Sequence, residues 1–313
     1  MRILFVGAVE FSQHCLRQVV KHGGNVVGVM TVSPQDSGFN SDYVDLAETA
    51  SALRIPVYFT KKIRSPESVE VIRSIAPDVI FVFGFSQLIS PEILSIPRLG
   101  CIGTHPALLP KNRGRHPLIW ALVEGLTQSG LTFFYLDEGA DSGDILWQEP
   151  FTIELEDDAS TLYQKIRDLA TKGIAEFLPK LMNNTAPRIP QDASQATYWR
   201  KRTAQDGQIH WDQPSMTIYN LIRALTRPYP GSHTFFGEEK VIIWKALPPT
   251  SASRDADTTE VPGMVAEVVK DRLRVRTGDG YLTILDYQPT NGTEIVAGGQ
   301  FGSARTEASP TSL

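Results

Sequence analysis

Two stretches of the chain hold residue types that can do acid and base chemistry together. The first is residues 100–120, GCIGTHPALLPKNRGRHPLIW, where an apolar run ends in Thr104-His105-Pro106 and leads through Leu-Leu-Pro into the basic turn Lys111-Asn112-Arg113-Gly114-Arg115-His116-Pro117. The second is residues 136–146, LDEGADSGDIL, where Asp137, Glu138, Asp141 and Asp144 are interleaved with Gly139 and Gly143. A carboxylate beside a histidine orients the imidazole and raises its basicity, as an acyl-transfer base requires. On residue types alone the acidic run has three readings: a solvated turn, a carboxylate partner for a histidine, or a metal site. The run lacks the regular alternation and closing Glu of a calcium loop, and the six histidines give no ligand pair at helical spacing. No metal is expected.

The elements that must position these groups follow from periodicity. Residues 2–6, 26–30 and 78–83 are short β-branched apolar runs, and helix-like segments at 11–21 and 43–53 lie between them. Strands alternating with helices imply a parallel α/β sheet, which the runs at 100–104 and 131–136 continue. Ligands of such sheets bind beyond the carboxyl ends of the strands, and His105 stands at such an end. From Ala159 to Met182 an amphipathic helix, capped by Asp158 or Ser160, closes the first domain. Residues 183–196, with Asn-Asn, two Pro and no periodicity, read as a linker. After a helix at 215–226, short runs at 233–236, 240–245, 262–268, 272–276 and 281–287 have the spacing of a small β-barrel. The expected fold is therefore α/β: a Rossmann-like, mostly parallel sheet over 1–190, an OB-like β-barrel over 191–300, and a polar, disordered tail over 301–313.

Bulk composition is consistent with that organisation. The 313 residues are 42% hydrophobic, with Lys+Arg 30 against Asp+Glu 35 and a net charge of -5, which excludes a disordered or fibrous chain. No run approaches the ~20 apolar residues of a membrane span. The start MRILFVGAVEF has no cleavage-site pattern, so a cytoplasmic protein without a membrane partner is expected. Cys15 and Cys101 are too few for a disulfide framework and read as buried thiols. The mild acidic excess argues against a chain that covers much nucleic acid.

Taken jointly, the strand, His105-Pro-Ala-Leu-Leu-Pro, Arg113-Gly114 and Asp141-Ser-Gly-Asp144 resemble the formyltransferases that use 10-formyltetrahydrofolate. That family includes glycinamide ribonucleotide transformylase, methionyl-tRNA formyltransferase and the sugar N-formyltransferases. MRILFVGAVEFS is similar to the family's first strand and turn, and FGFSQLISPEIL to its folate-binding segment. ATYWRKRTAQDGQIHWDQ and VIIWKA resemble the carboxyl-terminal domain of the methionyl-tRNA and amino-sugar branches. The resemblance implies that His105 removes the proton of an attacking amine and that Asp141 positions it. The family's oxyanion-donating Asn falls at Gly103, and Asn112, His116 or backbone N–H groups are the candidates to replace it. Folate is expected against Phe83, Gly84, Phe85, Ser86, Gln87 and Leu88 and the loop Asp137, Glu138, Gly139 and Ala140. The turn Gly7-Ala8-Val9-Glu10 lacks a full G-x-G-x-x-G, so no nicotinamide cofactor is expected.

Two amines compete as acceptor. Residues 31–51 contain no Lys or Arg and carry Asp36, Asp42, Asp45 and Glu48, which disfavours tRNA. RGRHPLIWALVEG is similar to the amino-sugar branch, and Lys111, Arg113, Arg115 and Tyr229 could hold a sugar nucleotide; internal pairing of Arg113 and Arg115 with the acidic loop is the competing reading. The resemblance thus implies an N-formyltransferase acting on a nucleotide-linked amino sugar for surface polysaccharide or nonulosonic acid synthesis, with a homodimer as the expected assembly. Methionyl-tRNA formyltransferase and a catalytically impaired folate-binding paralogue are the alternatives.

Overall fold

The computed structural model describes residues 1–37, 42–250 and 259–302. The tail expected from 301 begins later, because Phe301 and Gly302 form a strand with Phe301 buried in the core; from Ser303 onward it lies outside the described residues. The chain divides into two compact units, one of Met1–Pro117, Gln128–Thr152 and Tyr163–Lys201, the other of Leu118–Thr127, Ile153–Leu162 and Arg202–Leu313.

The first unit is built on strands β1 (Arg2–Val6), β2 (Asn25–Thr31), β3 (Val57–Phe59), β4 (Val79–Val82), β5 (Cys101–His105), β7 (Gln128–Tyr135) and β8 (Ile145–Thr152), with a separate pair, β6 (Arg113–Gly114) and β9 (Tyr198–Trp199). The sheet order is β3-β2-β1-β4-β5-β7-β8. β1 to β5 pair in parallel, and β7 and β8 add antiparallel strands at one edge. Helices α1 (Glu10–Lys21), α2 (Leu46–Ala52), α3 (Pro66–Ile75) and α4 (Pro91–Leu94) connect the parallel strands. Local chemistry sets their ends: Asp45 accepts from Ala47 N ahead of α2, and Ser65 accepts from Ser68 N ahead of α3, with Pro66 at the first helical position.

Alternating strand residues make two cores. Leu4, Val6, Met30, Ile80 and Val82 face Val69, Ile72 and Ile93 on one side of the sheet. On the other side Phe81 stacks on Phe83 at 5.0 Å, and Phe133 packs on Phe83 at 5.1 Å and on Phe177 at 4.8 Å. Each such ring pair adds about 0.5–1.5 kcal/mol beyond its buried area. Phe177 belongs to α6 (Ala159–Met182), whose Leu162, Ile166, Ala170, Ile174, Leu178 and Leu181 form a buried stripe at helical spacing. Of the two expected caps, Asp158 serves: its Oδ1 accepts from Ser160 N and Thr161 N.

In the second unit, which also holds part of α5 (Pro117–Val123), helix α7 (Ser215–Leu225) accompanies β10 (Ser232–Phe236), β11 (Glu239–Ala246), β12 (Val265–Val269), β13 (Arg272–Arg276), β14 (Tyr281–Pro289) and β15 (Phe301–Gly302). The antiparallel order is β12-β13-β14-β11-β10-β15. Its ends approach each other, because Met264 bridges Gln300 and Val265 N donates to Gly299 O at 2.8 Å. Trp211 stacks on Phe301 at 5.5 Å in the enclosed core. Arg223, one of the basic residues of this half, is buried, and its guanidinium donates to the carbonyls of Glu154, Leu155 and Asp157.

Candidate active site

His105 is the last residue of β5, held in register by pairing with Thr132 of β7. Its side chain is 5% exposed and lies between two loops. Nε2 is 2.7 Å from the backbone oxygen of Asn112, and Nδ1 is 3.6 Å from Asp141 Oδ2. A carbonyl only accepts, so Nε2 carries a hydrogen. In the ring with one hydrogen, the lone pair is therefore on Nδ1, beside the carboxylate. The distance of 3.6 Å is too long for a hydrogen bond.

Asp141 is fixed from behind. Its Oδ2 accepts from Gly114 N at 2.8 Å, and its backbone is left-handed, at φ 54°. Gly114 itself has φ 108°, and a Cβ there would strike the carbonyl oxygen of Trp199 across the β6–β9 pair. Only glycine lets the backbone come close enough to donate to Asp141 while pairing with β9.

Gly103 and His105 are two residues apart on one strand and so share a face. Gly103 supplies no side chain, and the space in front of it is filled: a Cβ there would lie 2.6 Å from Leu136 Cδ2 and 3.4 Å from Phe134 Cε1. Asn112 is left-handed at φ 62°, and its backbone N and side-chain Oδ1 both engage Thr197 Oγ1. His116, at φ 58°, is half-buried in the same turn.

Among the expected ligand contacts, Lys111 and Arg115 are exposed, whereas Arg113 is buried. Arg113 donates from Nε and Nη2 to Gln191 Oε1 at 3.2 and 2.7 Å and from Nη1 to Tyr198 Oη at 2.9 Å. Its guanidinium pairs with an amide and a phenol in place of an acidic side chain. Tyr229 lies in the second unit. In the segment expected to face folate, Phe83 is fully buried in the aromatic core, its N–H donates to Val6 O and its carbonyl accepts from Ser12 Oγ, so it offers a ligand nothing. Gly84 turns at φ 65°, and the amide of Gln87 bonds to Ile63 N and Lys61 O. Phe85 is half-buried and Ser86 exposed, while Leu88 is 74% exposed. In the acidic loop Asp137 Oδ1 accepts from Gly139 N and Ser142 Oγ, and Glu138, Gly139 and Ala140 are exposed.

Sequence reasoning missed Gln191, Thr197 and Leu136. The first two lie in and just beyond the stretch read as a linker, which instead bonds to the site: Ile189 bridges Ile145, and β9 pairs with β6. Pro, Asn and polar residues without periodicity gave no signal of that pairing. Cys15 and Cys101 are buried, free thiols, and burial pushes the Cys101 thiol up to about 12. Among the described residues no cluster of His, Cys, Asp and Glu has metal-holding geometry, and no helix is long and apolar enough to cross a membrane.

Comparison with solved structures gives the same fold in several proteins. HypX from Aquifex aeolicus, in complex with tetrahydrofolic acid, superposes with a TM-score of 0.66 at 18% identity over 93% of this chain, which spans 44% of the HypX chain. The N-formyltransferase from Helicobacter canadensis, in complex with folinic acid and dTDP-3-aminofucose, gives 0.65 at 19% identity, covering 91% of this chain and 99% of that one. Methionyl-tRNA formyltransferase from Clostridium thermocellum gives 0.55 at 20% identity over 79% and 93%. The family model described as formyl transferase matches residues 1–178, and the one described as formyl transferase, C-terminal domain, matches residues 201–301. With more than half of its length matched by the first of these, and the His105–Asp141 pair inside that match, the chain belongs to the formyl transferase family.

Proposed function

We propose that this chain moves a formyl group from 10-formyltetrahydrofolate to the primary amine of a nucleotide-linked amino sugar. The observation that carries the reading is the His105–Asp141 pair at the end of β5, in a chain of the formyl transferase family. The folate supplies the formyl carbon; the chain supplies orientation and proton transfer. As the amine nitrogen bonds to the formyl carbon, His105 Nδ1 takes the proton it loses; the bond from that carbon to the folate N10 then breaks, and the proton passes to N10 as tetrahydrofolate leaves. The transient imidazolium keeps its Nε2 hydrogen on the Asn112 carbonyl and has the Asp141 carboxylate 3.6 Å from Nδ1, where opposite charge favours it. General-base assistance of this kind contributes about 10²–10⁴ in rate.

Folate fits the edge where β3 and β4 end. Leu88 and Phe59, at 74% and 56% exposure, offer uncovered apolar surface there, and the Gln87 amide ties their two loops together. Flat rings are held by such surfaces together with a few polar backbone groups. Gly84, Phe85, Ser86, Gln87 and Leu88 line one side, with Phe83 buried behind them, and Asp137, Glu138, Gly139 and Ala140 are the second contact. The oxyanion donor falls to Asn112 Nδ2, to His116 or to backbone N–H groups, because position 103 has no side chain.

For the acceptor, exposed Lys111 and Arg115 provide positive charge beside the site, as a pyrophosphate needs. The stretch 31–51, without Lys or Arg, offers nothing comparable to a nucleic acid. The solved neighbour from Helicobacter canadensis, bound to dTDP-3-aminofucose, supports the same class. The test is tetrahydrofolate release from 10-formyltetrahydrofolate with amino-sugar nucleotides and charged initiator tRNA offered separately. Turnover with the sugars alone is the expected result. Turnover with tRNA alone reassigns the acceptor, and folate binding without turnover makes the chain an impaired paralogue.

A further inference from the structure

One amide side chain joins both of the loops that hold His105. Gln191 Nε2 donates to the backbone oxygens of Asp141, at 2.9 Å, and Gly143, at 2.7 Å. Its Oε1 accepts from Arg113 Nε and Nη2. The orientation of the amide is forced, since a guanidinium only donates and carbonyls only accept. All four hydrogen-bonding positions of the amide are used. On one side the clamp fixes the left-handed Asp141, whose Oδ2 faces His105 Nδ1. On the other it fixes Arg113, the neighbour of Asn112, whose carbonyl takes the His105 Nε2 hydrogen.

We infer that Gln191 is a positioning residue for the reaction, setting the His105–Asp141 geometry by tying the acidic loop to the basic turn. This rests on the formyl-transfer reading only for its kinetic consequence. Arg113 is buried at 3% exposure and its guanidinium bonds to Gln191 and Tyr198, so its charge is spread over an amide and a phenol. An amide is the one side chain that can accept from this guanidinium and donate to two carbonyls at once. Glutamate would keep the first function and set its second oxygen against the Asp141 and Gly143 carbonyls. Leucine would keep the approximate volume and lose both.

The experiment uses the full chain with ¹⁵N-labelled histidine and no substrate, with the His105 signal identified by its loss in His105→Asn. In the wild-type protein the Nε2 hydrogen, held by a carbonyl in a buried ring, gives a slowly exchanging resonance. Gln191→Leu and Gln191→Glu are expected to broaden or lose it, while Ser194→Ala, an exposed neighbour in the same segment, retains it. In turnover both Gln191 variants are expected to lower kcat by about 10–100-fold with KM for folate changed little, as loss of orientation does. Should Gln191→Leu unfold, Gln191→Glu still decides the matter, since it keeps the bonds to Arg113. Retention of the Nε2 resonance and of kcat in a folded Gln191 variant overturns the proposal. Because the resonance is read without substrate, failure of the formyl-transfer reading leaves this test intact.

Discussion

Leu136 stands where a side chain at position 103 would begin, with its Cδ2 2.6 Å from the place a Cβ on Gly103 would take. The two residues are locked together, because Leu136 N donates to the oxygen of Cys101 at 2.7 Å, at the end of the β5–β7 pair. A side chain at 103 and Leu136 in its present place therefore compete for one space.

Gly103→Asn alone is accordingly expected to destabilise the protein by about 1–3 kcal/mol through overpacking. Adding Leu136→Ala makes room, and the pair is expected to recover about 0.5–3 kcal/mol relative to the sum of the single changes. Urea unfolding of the four proteins measures this coupling. Strict additivity would show that Leu136 is no obstacle to a side chain at 103.

Asp141→Asn separates charge from geometry. The asparagine Oδ1 can still accept from Gly114 N, so folding stability is expected to change by no more than about 1 kcal/mol. On the proposed mechanism the imidazolium formed at His105 loses its carboxylate, and kcat is expected to fall about 10²-fold or more. Steady-state tetrahydrofolate release checks this. An unchanged kcat would remove Asp141 from the reaction.

Much of this frame is legible in the residues themselves, for reasons that also mark where legibility stops. β1, α6 and β13 declare themselves through apolar runs or stripes at the period of the element, and Asp158 through its place before a helical pattern. His105 and Asp141 can be named because strand ends and a residue pattern frame them. β8 escapes: ILWQEPFT contains Pro150 and polar residues, and it forms because β7 offers it an edge. The β6–β9 pair, Gln191 and Leu136 escape for a related cause. Each owes its role to a partner far along the chain, and no local period reports such a partner.

The histidines away from the site set a pH limit on stability. Burial holds His14 below its ordinary value of 6.5, with Arg167 reinforcing the effect, and burial also lowers His233. The unfolded chain thus binds protons at these positions before the folded chain does. Their contribution is complete above about pH 6.5 and is lost as pH falls through the lower folded-state values. The urea midpoint is expected to decline below pH 6.5. His14→Gln, which can keep a bond to Thr171 Oγ1, is expected to flatten part of that decline. A profile identical to wild type would show that another group controls it.

Lys111 and Arg115 offer the most direct view of the acceptor. Both are exposed beside the buried Arg113, so neither is needed for the clamp on Asp141 or for the core. A charged hydrogen bond to a phosphate is worth about 1.5–3 kcal/mol, roughly ten- to hundredfold in affinity. Lys111→Ala and Arg115→Ala are therefore expected to raise KM for the sugar nucleotide by about tenfold or more, while KM for folate and kcat stay near wild type. The wild-type KM should also rise with salt as the ion contacts are screened. If instead both variants leave every KM unchanged, the phosphates lie elsewhere. A rise in KM confined to folate would place the two cations on its carboxylates and leave the acceptor to be held by other residues.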